Sequence, residues 1–232
     1  MNYLIGIDLG TSSTKTVLFD EKGEVIASAS KDYPLYTPHN GWAEQKPEDW
    51  RDAALETITK VVKDSGVAAD DIKGLGISGQ MHGLVMLDEQ GEVIRPSIIW
   101  CDQRTEKECE EMTEKVGAEK LIEITANPAM TGFTASKILW VRNNEPENYA
   151  KCKHILLPKD YVRYILTGEF ATEVSDASGM QLLDVPKRQW SDELLEILDI
   201  DKSLLAKVYE SPEVSGTILP EIAAKTGLST ST

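Results

Sequence analysis

The stretch Tyr3-Leu-Ile-Gly-Ile-Asp-Leu-Gly-Thr-Ser-Ser-Thr-Lys15 carries most of the information about the fold. Its first part, Tyr3–Ile7, is short, apolar and rich in strand-forming residues, and a Gly-Thr-Ser-Ser turn follows it. Thr14–Phe19 predicts a second strand. An Asp-Glu-Lys-Gly loop ending at Gly23 then predicts a hairpin into a third strand, Glu24–Ser30.

The turn after the first strand also suggests chemistry. Asp8 ends the strand, and Gly10, Thr11 and Ser12 follow it. Such a turn can direct backbone N–H groups and hydroxyls at phosphate oxygens. Asp8 can hold Mg²⁺ directly or through water, because Mg²⁺ binds a few oxygens and keeps several waters. An ordinary β-turn capped by Asp8 is the alternative, and Lys15 either reaches a phosphate or caps the second strand at the surface.

The rest of the chain alternates strands and helices and then becomes mostly helical. The patterns predict strands at Lys73–Ser78, Leu84–Leu87 and Ile155–Leu157, and helices at Pro47–Lys63, Arg104–Val116, Thr134–Arg142 and Asp192–Leu198, with another opening at Pro158. No linker rich in Pro, Gly or Ser divides the chain. We therefore expect one compact α/β unit with an inserted or appended helical region.

Two local patterns have simple explanations. Val17–Ile26 and Val85–Ile94 share an Asp-Glu-x-Gly turn between apolar runs, which indicates one hairpin used twice rather than a repeat array. Gly74-Leu-Gly-Ile-Ser-Gly79 matches a dinucleotide-binding pattern. That pattern should follow a strand and open a helix, whereas here it coincides with a strand and precedes another, so we interpret it as accidental.

Composition excludes several classes of protein. With 24 Lys+Arg against 39 Asp+Glu, the formal charge is −15, a poor match to a nucleic-acid backbone. Nothing approaches the roughly 18 apolar residues of a membrane span, and the N-terminus lacks a basic signal region. The three cysteines, Cys101, Cys109 and Cys152, form no Cys-x-x-Cys pair and suit a reducing compartment. We expect a cytoplasmic protein without nucleic-acid or membrane partners.

Two further segments are candidates for binding. Gln80, Met81 and His82 lie between two predicted strands and next to glycines that let a ligand approach closely. Trp100-Cys-Asp102-Gln-Arg104 places an aromatic ring, an acid and a base at a strand-to-helix junction, which suits sugar hydroxyls. The same segment can equally be a helix start with Asp102 as its cap.

Together these segments resemble a known family. The Asp8-to-Thr11 opening is similar to the first phosphate motif of the actin, sugar-kinase and heat-shock ATPase superfamily. Gly132–Asn144, with Lys137 and Trp140, resembles the signature of the FGGY carbohydrate kinases. Gly74–Gly83 looks like the xylulokinase subgroup, where glycerol kinases carry a different segment. Segments resembling that subgroup also occur at Gly41–Gln45, Leu157–Tyr161, Thr167–Phe170, Ser175–Gly179 and Trp190–Asp192.

The resemblance implies a ribonuclease-H-like fold, a mixed sheet flanked by helices with a helical inserted region. It implies that ATP-Mg²⁺ and a sugar meet between two such domains, and that D-xylulose becomes D-xylulose 5-phosphate. By position, Asp8, Gly10, Thr11, Ser12 and Lys15 would serve the nucleotide phosphates, with Asp8 also the metal ligand. The sugar side would comprise Gln80, Met81, His82 and, as weaker candidates, Trp100, Asp102 and Arg104.

One departure from the family affects the expected activity. The family's catalytic base is an Asp in a Gly-Gly-Asp segment, which occurs nowhere in this chain. We expect residues 1–232 to form the N-terminal, sugar-binding domain, with the base beyond Thr232, the nucleotide-binding domain absent and the isolated chain inactive. The alternatives are a kinase for ribulose, fuculose or gluconate, a non-catalytic sugar-binding module, and half of a chaperone ATPase. A homodimer is left open.

Overall fold

The computed structural model describes residues 1–232 and confirms the α/β class. Its strands are β1 (Tyr3–Leu9), β2 (Ser13–Asp20), β3 (Val25–Asp32), β4 (Glu44–Gln45), β5 (Ile72–Gly79), β6 (Val85–Leu87), β7 (Ser97–Ile98), β8 (His154–Leu156), β9 (Ala171–Glu173), β10 (Leu183–Asp184), β11 (Gln189–Trp190) and β12 (Lys207–Tyr209). Its helices are α1 (Pro47–Ser65), α2 (Glu106–Val116), α3 (Ala118–Thr125), α4 (Thr134–Asn144), α5 (Pro146–Lys151), α6 (Pro158–Thr167), α7 (Val174–Ala177), α8 (Asp192–Leu198) and α9 (Pro220–Thr226).

The main sheet is mixed and has the order β3-β2-β1-β5. β1 pairs antiparallel with β2 and parallel with β5, so the carboxyl ends of β1 and β5 meet at one edge of the sheet. Alternation along β1 buries Ile5, Ile7 and Leu9. Helix α1 covers this face, and a 2.7 Å hydrogen bond between the buried hydroxyls of Thr16 and Thr57 joins it to β2.

The two Asp-Glu-x-Gly hairpins are built alike, as the sequence predicts. Asp20 Oδ1 accepts hydrogen bonds from the second and fourth residues after it, both at 2.9 Å, and Asp88 Oδ1 does the same at the same distances. Gly23 and Gly91 both have left-handed backbones, with φ of 84° and 78°. The carboxylate replaces backbone partners within the turn, which explains why the same four-residue pattern occurs twice.

This similarity supplies a matched pair of stability variants. Both Gly23→Ala and Gly91→Ala force an L-residue into the left-handed region, which costs about 1–2 kcal/mol. An added Cβ at Gly23 meets nothing, whereas at Gly91 it overlaps the hydroxyl of Tyr164, whose ring stacks on Phe170 at 4.4 Å. In urea titrations we expect Gly91→Ala to lose about 1–3 kcal/mol more than Gly23→Ala. Equal losses would contradict this packing.

Two hydrophobic cores lie on opposite sides of a small two-stranded sheet. The first core, with 24 buried residues, lies between the main sheet, α1 and α6, and the second, with 25, lies among α2, α4 and α8. β6 pairs with β8 between them. Val85 and Leu87 of β6 face the first core, and Met86 faces the second. Because successive side chains of a strand point to opposite faces, β6 packs against both cores and joins the helical region to the main sheet. This agrees with the predicted α/β unit that carries a helical region.

The edge strand β5 has a hydrogen-bonded neighbour on one side only, because it ends the strand order. A cavity of about 440 Å³ lies along this open edge. Residues 73–77 form one side of the cavity, and a loop over residues 210–217 lies across from them. The side-chain hydroxyl of Thr232 enters the same region and donates to the Ile72 carbonyl at 3.0 Å.

Most predicted elements agree with the structure, with one clear error at a helix start. Proline occupies the first turn of α1 and α6, as predicted. The helix predicted to begin at Arg104 begins at Glu106 with Thr105 as its N-cap, so Asp102 is not its cap. The strand over Ile72–Gly79 confirms that the glycine pattern there is not a dinucleotide-binding turn. No helix is long and apolar enough to cross a bilayer. All three cysteines are free.

Candidate functional site

The candidate site lies where β1 and β5 end and β2 begins. Asp8 is the penultimate residue of β1 and is opposite Lys15 of β2 and Ser78 of β5. The turn over residues 10–12 follows directly, and the amide of Gln80 donates to the Leu9 carbonyl at 2.7 Å. The topology thus brings together the predicted phosphate turn and the predicted sugar segment, which are about seventy residues apart in the sequence.

The phosphate turn is held from behind by its carbonyl groups. The Tyr33 hydroxyl donates to the Gly10 carbonyl, the Gln45 side chain donates to the Thr11 carbonyl at 2.6 Å, and the Tyr33 amide donates to the Ser12 carbonyl at 3.2 Å. The amide N–H groups of Thr11 and Ser12 donate no hydrogen bond within the chain. An anchored turn with free N–H donors suits an anion such as a phosphate.

Gln80 belongs to this support. Its side chain is buried and donates to the Gly10 carbonyl at 3.3 Å and to Gln45 Oε1 at 2.8 Å. Trp50 donates to the same Gln45 oxygen at 3.1 Å. The Gln80 side-chain amide nitrogen therefore supports the turn from behind, while its Oε1 has no hydrogen-bond partner within the chain, and a substrate contact from Gln80 stays a prediction.

Asp8 and Lys15 are both exposed and share one face of the sheet. Neither side chain forms a hydrogen bond or an ion pair within the chain, and no cluster of three metal-ligating side chains exists here. One free carboxylate fits Mg²⁺ that is otherwise held by water and phosphate oxygens, so the donor set agrees with Asp8 as a single metal ligand.

Met81, which is exposed, and His82, which is half-buried, form a corner beside the turn. Met81 is 52% exposed. His82 has a left-handed backbone with φ of 65°, and its ring lies 4.3 Å from the Phe133 ring and against Gly179. Burial, and then the nearby Lys137 charge, lower the pKa of His82 to about 4. The imidazole is thus neutral at pH 7 and can exchange hydrogen bonds with a hydroxyl without carrying charge.

Trp100 lies at the protein surface, whereas Asp102 and Arg104 are buried. The Trp100 ring is exposed, and its N–H donates to the Thr11 hydroxyl at 2.9 Å. The Asp102 side chain is fully buried and the Arg104 side chain is 1% exposed. The prediction of direct sugar contacts from Asp102 and Arg104 therefore does not fit the structure.

Asp102 and Arg104 instead belong to a buried ionic network. Arg104 forms bidentate hydrogen bonds to Asp102, at 2.7 Å for Nη2, and its Nη1 donates to Glu44 at 2.8 Å. Its guanidinium lies 3.7 Å from the centre of the Trp42 ring. Asp102 also accepts from the Ala43 amide at 2.6 Å. The network anchors the segment preceding α1 to the segment that carries Trp100.

A second charged cluster lies near the end of β5. The Lys159 ammonium is within 3.3 Å of Asp160, Glu173 and Asp176, and these three carboxylates raise its pKa although burial opposes them. Burial raises the pKa of Asp176 to about 6, against the opposing effect of Lys159. Three carboxylates on one ammonium leave a buried excess of negative charge.

This cluster predicts a stability that depends on pH. Folding raises the pKa of Asp176, so the folded chain binds this proton more tightly than the unfolded chain does. The resulting contribution to the free energy of unfolding is complete below about pH 4, where Asp176 is protonated in both the folded and the unfolded chain, and it is lost as pH rises through about 6. Asp176→Asn keeps the neutral form at every pH. We expect it to stabilise the chain by about 1–2 kcal/mol at pH 7.5 and by almost nothing at pH 4. Urea midpoints at both pH values test this, with exposed Asp32→Asn as control; a gain that does not depend on pH would contradict it.

Several residues around the site were not predicted. Tyr33 lies in no segment singled out from the sequence, and Phe133 lies in Gly132–Asn144 without any sign there of its contact with His82. Gln45 and Lys137 lie in the segments used for the family resemblance, but the sequence gives no sign of what they contact. Lys137 is fully buried and donates to the His82 carbonyl at 2.9 Å.

Comparison with known proteins agrees with this geometry. The sequence profile of the N-terminal domain of the FGGY family of carbohydrate kinases matches residues 3–232. Curated relatives include the xylulose kinase of Bacillus subtilis strain 168, 46% identical over 228 residues, which cover 98% of this chain and 46% of that protein. The xylulose kinase of Escherichia coli K12 is 44% identical over 226 residues, covering 97% and 46%. The chain thus spans about half the length of these relatives.

Solved structures show the same relationship. A structure described as a "xyloylose kinase" from Brucella ovis superimposes with a TM-score of 0.92 at 36% identity, covering 98% of this chain and 46% of that one. A gluconate kinase from Lactobacillus acidophilus superimposes with a TM-score of 0.93 at 31% identity, covering 100% and 46%. Proteins named for different sugars thus share this fold.

Proposed function

This chain belongs to the FGGY family of carbohydrate kinases, and from that premise we propose that it forms the N-terminal half of an ATP-dependent kinase for D-xylulose. The observation that carries the proposal is the juxtaposition of an anchored turn with free N–H groups and the Met81–His82 corner. Phosphoryl transfer requires a phosphate and a hydroxyl to be positioned together, and these two features lie at the same end of the sheet.

In this proposal each exposed feature has one role. The free N–H groups of Thr11 and Ser12 orient phosphate oxygens, and Asp8 is the residue that would hold Mg²⁺, which neutralises phosphate charge when bound. Lys15 is placed on the same face as Asp8 and adds positive charge. The neutral imidazole of His82 and the exposed faces of Met81 and Trp100 orient the sugar.

The proposal divides the work between two domains. Residues 1–232 supply the sugar-binding residues and the first phosphate turn, and a second domain supplies the general base and the adenosine site. Because the reaction consumes ATP, the proposal places it in the cytoplasm. The isolated chain is expected to show no turnover, since positioning by a closed cleft and proton removal by a base both accelerate the transfer.

A sugar panel tests the proposal. The gene is sequenced past codon 232, the complete polypeptide is produced, and ADP release is measured with D-xylulose, D-ribulose, L-fuculose and D-gluconate. We expect the highest kcat/KM with D-xylulose. Gluconate is the second candidate, because a gluconate kinase superimposes as well as the structure from Brucella ovis does. Preference for another sugar would overturn the substrate, and no turnover with any of them would overturn the kinase.

A further inference from the structure

Lys137 of α4 carries a buried amino group that forms no ion pair. Its side chain is fully buried, and no carboxylate lies within 4 Å of Nζ. Burial lowers the pKa of Lys137 to about 7, and an apolar residue of similar length would avoid the cost of burying a polar group. The arrangement therefore needs a reason beyond packing.

The Lys137 side chain donates hydrogen bonds to the backbone around His82, one of the candidate sugar-binding residues. Nζ donates to the His82 carbonyl at 2.9 Å and to the Gly132 carbonyl at 2.8 Å. The hydroxyl of Thr134, one helical turn earlier, donates to the same His82 carbonyl at 3.1 Å. One carbonyl thus accepts two hydrogen bonds from the same helix.

The His82 carbonyl belongs to a strained residue. His82 is not glycine, yet its φ of 65° lies in the left-handed region, where an L-residue costs about 1–2 kcal/mol. Such a conformation persists only where the surroundings hold it. The hydrogen bond from Lys137 to the His82 carbonyl and the contact between the His82 and Phe133 rings are two such restraints.

The same amino group also holds the loop that contains Gly132. Gly132 packs so closely on the segment carrying Trp100 that an added Cβ would lie 2.8 Å from the Trp100 carbonyl oxygen. Phe133, the next residue, carries the ring beside His82. Lys137 therefore joins the turn at residues 81–82 to the loop that positions both aromatic neighbours.

We propose that Lys137 is a positioning residue that, together with Thr134, holds His82 in its left-handed conformation and thereby sets the shape of the sugar pocket. This inference rests on the proposed function for the identity of the ligand. Its structural half, the restraint of the turn at residues 80–83, is independent of the sugar and of the catalytic activity.

The main test uses amide hydrogen exchange on the 232-residue chain. Lys137→Met keeps the length and apolar contacts but removes the donor, and we expect exchange over residues 80–84 to become about tenfold faster while α1 exchanges as before. The control is Arg142→Met on the same helix, whose guanidinium donates to the Leu198 carbonyl at 2.7 Å and does not contact His82. Unchanged exchange over residues 80–84, or an equal change in the control, would overturn the proposal.

Kinetics of the complete kinase supply the second test. Lys137→Met should raise the KM of the preferred sugar about tenfold or more and leave the KM of ATP within twofold; equal rises would indicate a general structural role and overturn the proposal. If Lys137→Met does not fold, Thr134→Val, which removes the other donor, must show the same pattern more weakly. Wild-type inactivity with all sugars would overturn the proposed function only, because the exchange result does not depend on it.

Discussion

Asp8→Asn is expected to lower kcat of the complete kinase by about 10²–10³-fold, the usual cost of removing one electrostatic contact to a transition state. The carboxylate is exposed and forms no hydrogen bond or ion pair in the chain, so its loss removes no contact that stabilises the fold. The measurement is kcat with saturating D-xylulose and ATP, together with the urea midpoint of the 232-residue variant, which should match that of the wild type.

The control for Asp8 is an exposed carboxylate elsewhere. Asp192→Asn lies on α8, in the helical region, where the carboxylate pairs with Lys202 at the surface. It should leave kcat unchanged. If Asp8→Asn retained wild-type kcat, Asp8 would have no part in metal or phosphate binding; if it unfolded the chain, its exposed position would be wrong.

The second large effect concerns stability. Arg104→Met is expected to destabilise the chain by about 3–5 kcal/mol, because it leaves the fully buried Asp102 carboxylate without its main partner. Total stabilities of domains are about 5–15 kcal/mol, so the variant should unfold at a much lower urea concentration than the wild type. Arg188→Met removes an ion pair whose partners are half exposed, and it should cost less than about 1 kcal/mol.

A double variant keeps this prediction testable if Arg104→Met does not fold. Adding Asp102→Asn removes the uncompensated charge while keeping an oxygen that can accept from the Ala43 amide. The double variant should therefore be more stable than Arg104→Met alone. A double variant that is less stable would show that the charge imbalance is not the cause.

The sequence predicts best where local chemistry decides the structure. The Asp-Glu-x-Gly turns at Asp20 and Asp88 fold as expected because one side chain caps its own loop. The strand over Ile72–Gly79 and the proline-led start of α1 follow from residue type and spacing alone. The position of Asp8 at a strand end followed from the same reasoning.

What the sequence could not predict depends on partners distant along the chain. Asp102 and Arg104 carry the residue types of a sugar site, but Glu44, some sixty residues earlier, draws Arg104 inward. Gln45, thirty-five residues before Gln80, likewise accepts a hydrogen bond from the Gln80 side chain and so determines its direction. The restraint on His82 comes from Lys137, fifty-five residues later, and no pattern near either residue indicates it.

The unpaired side of β5 has a practical consequence. Backbone N–H and C=O groups without a neighbouring strand are a template for another chain, and proteins usually guard such edges with charge, bulges or covering segments. Gly74 and Gly76 present no side chain to block an approaching backbone, and Lys73 is the only charged residue in the strand. Residues 210–217 and Thr232 lie beside this strand, and they are therefore the segments expected to keep its free backbone groups from pairing with another chain.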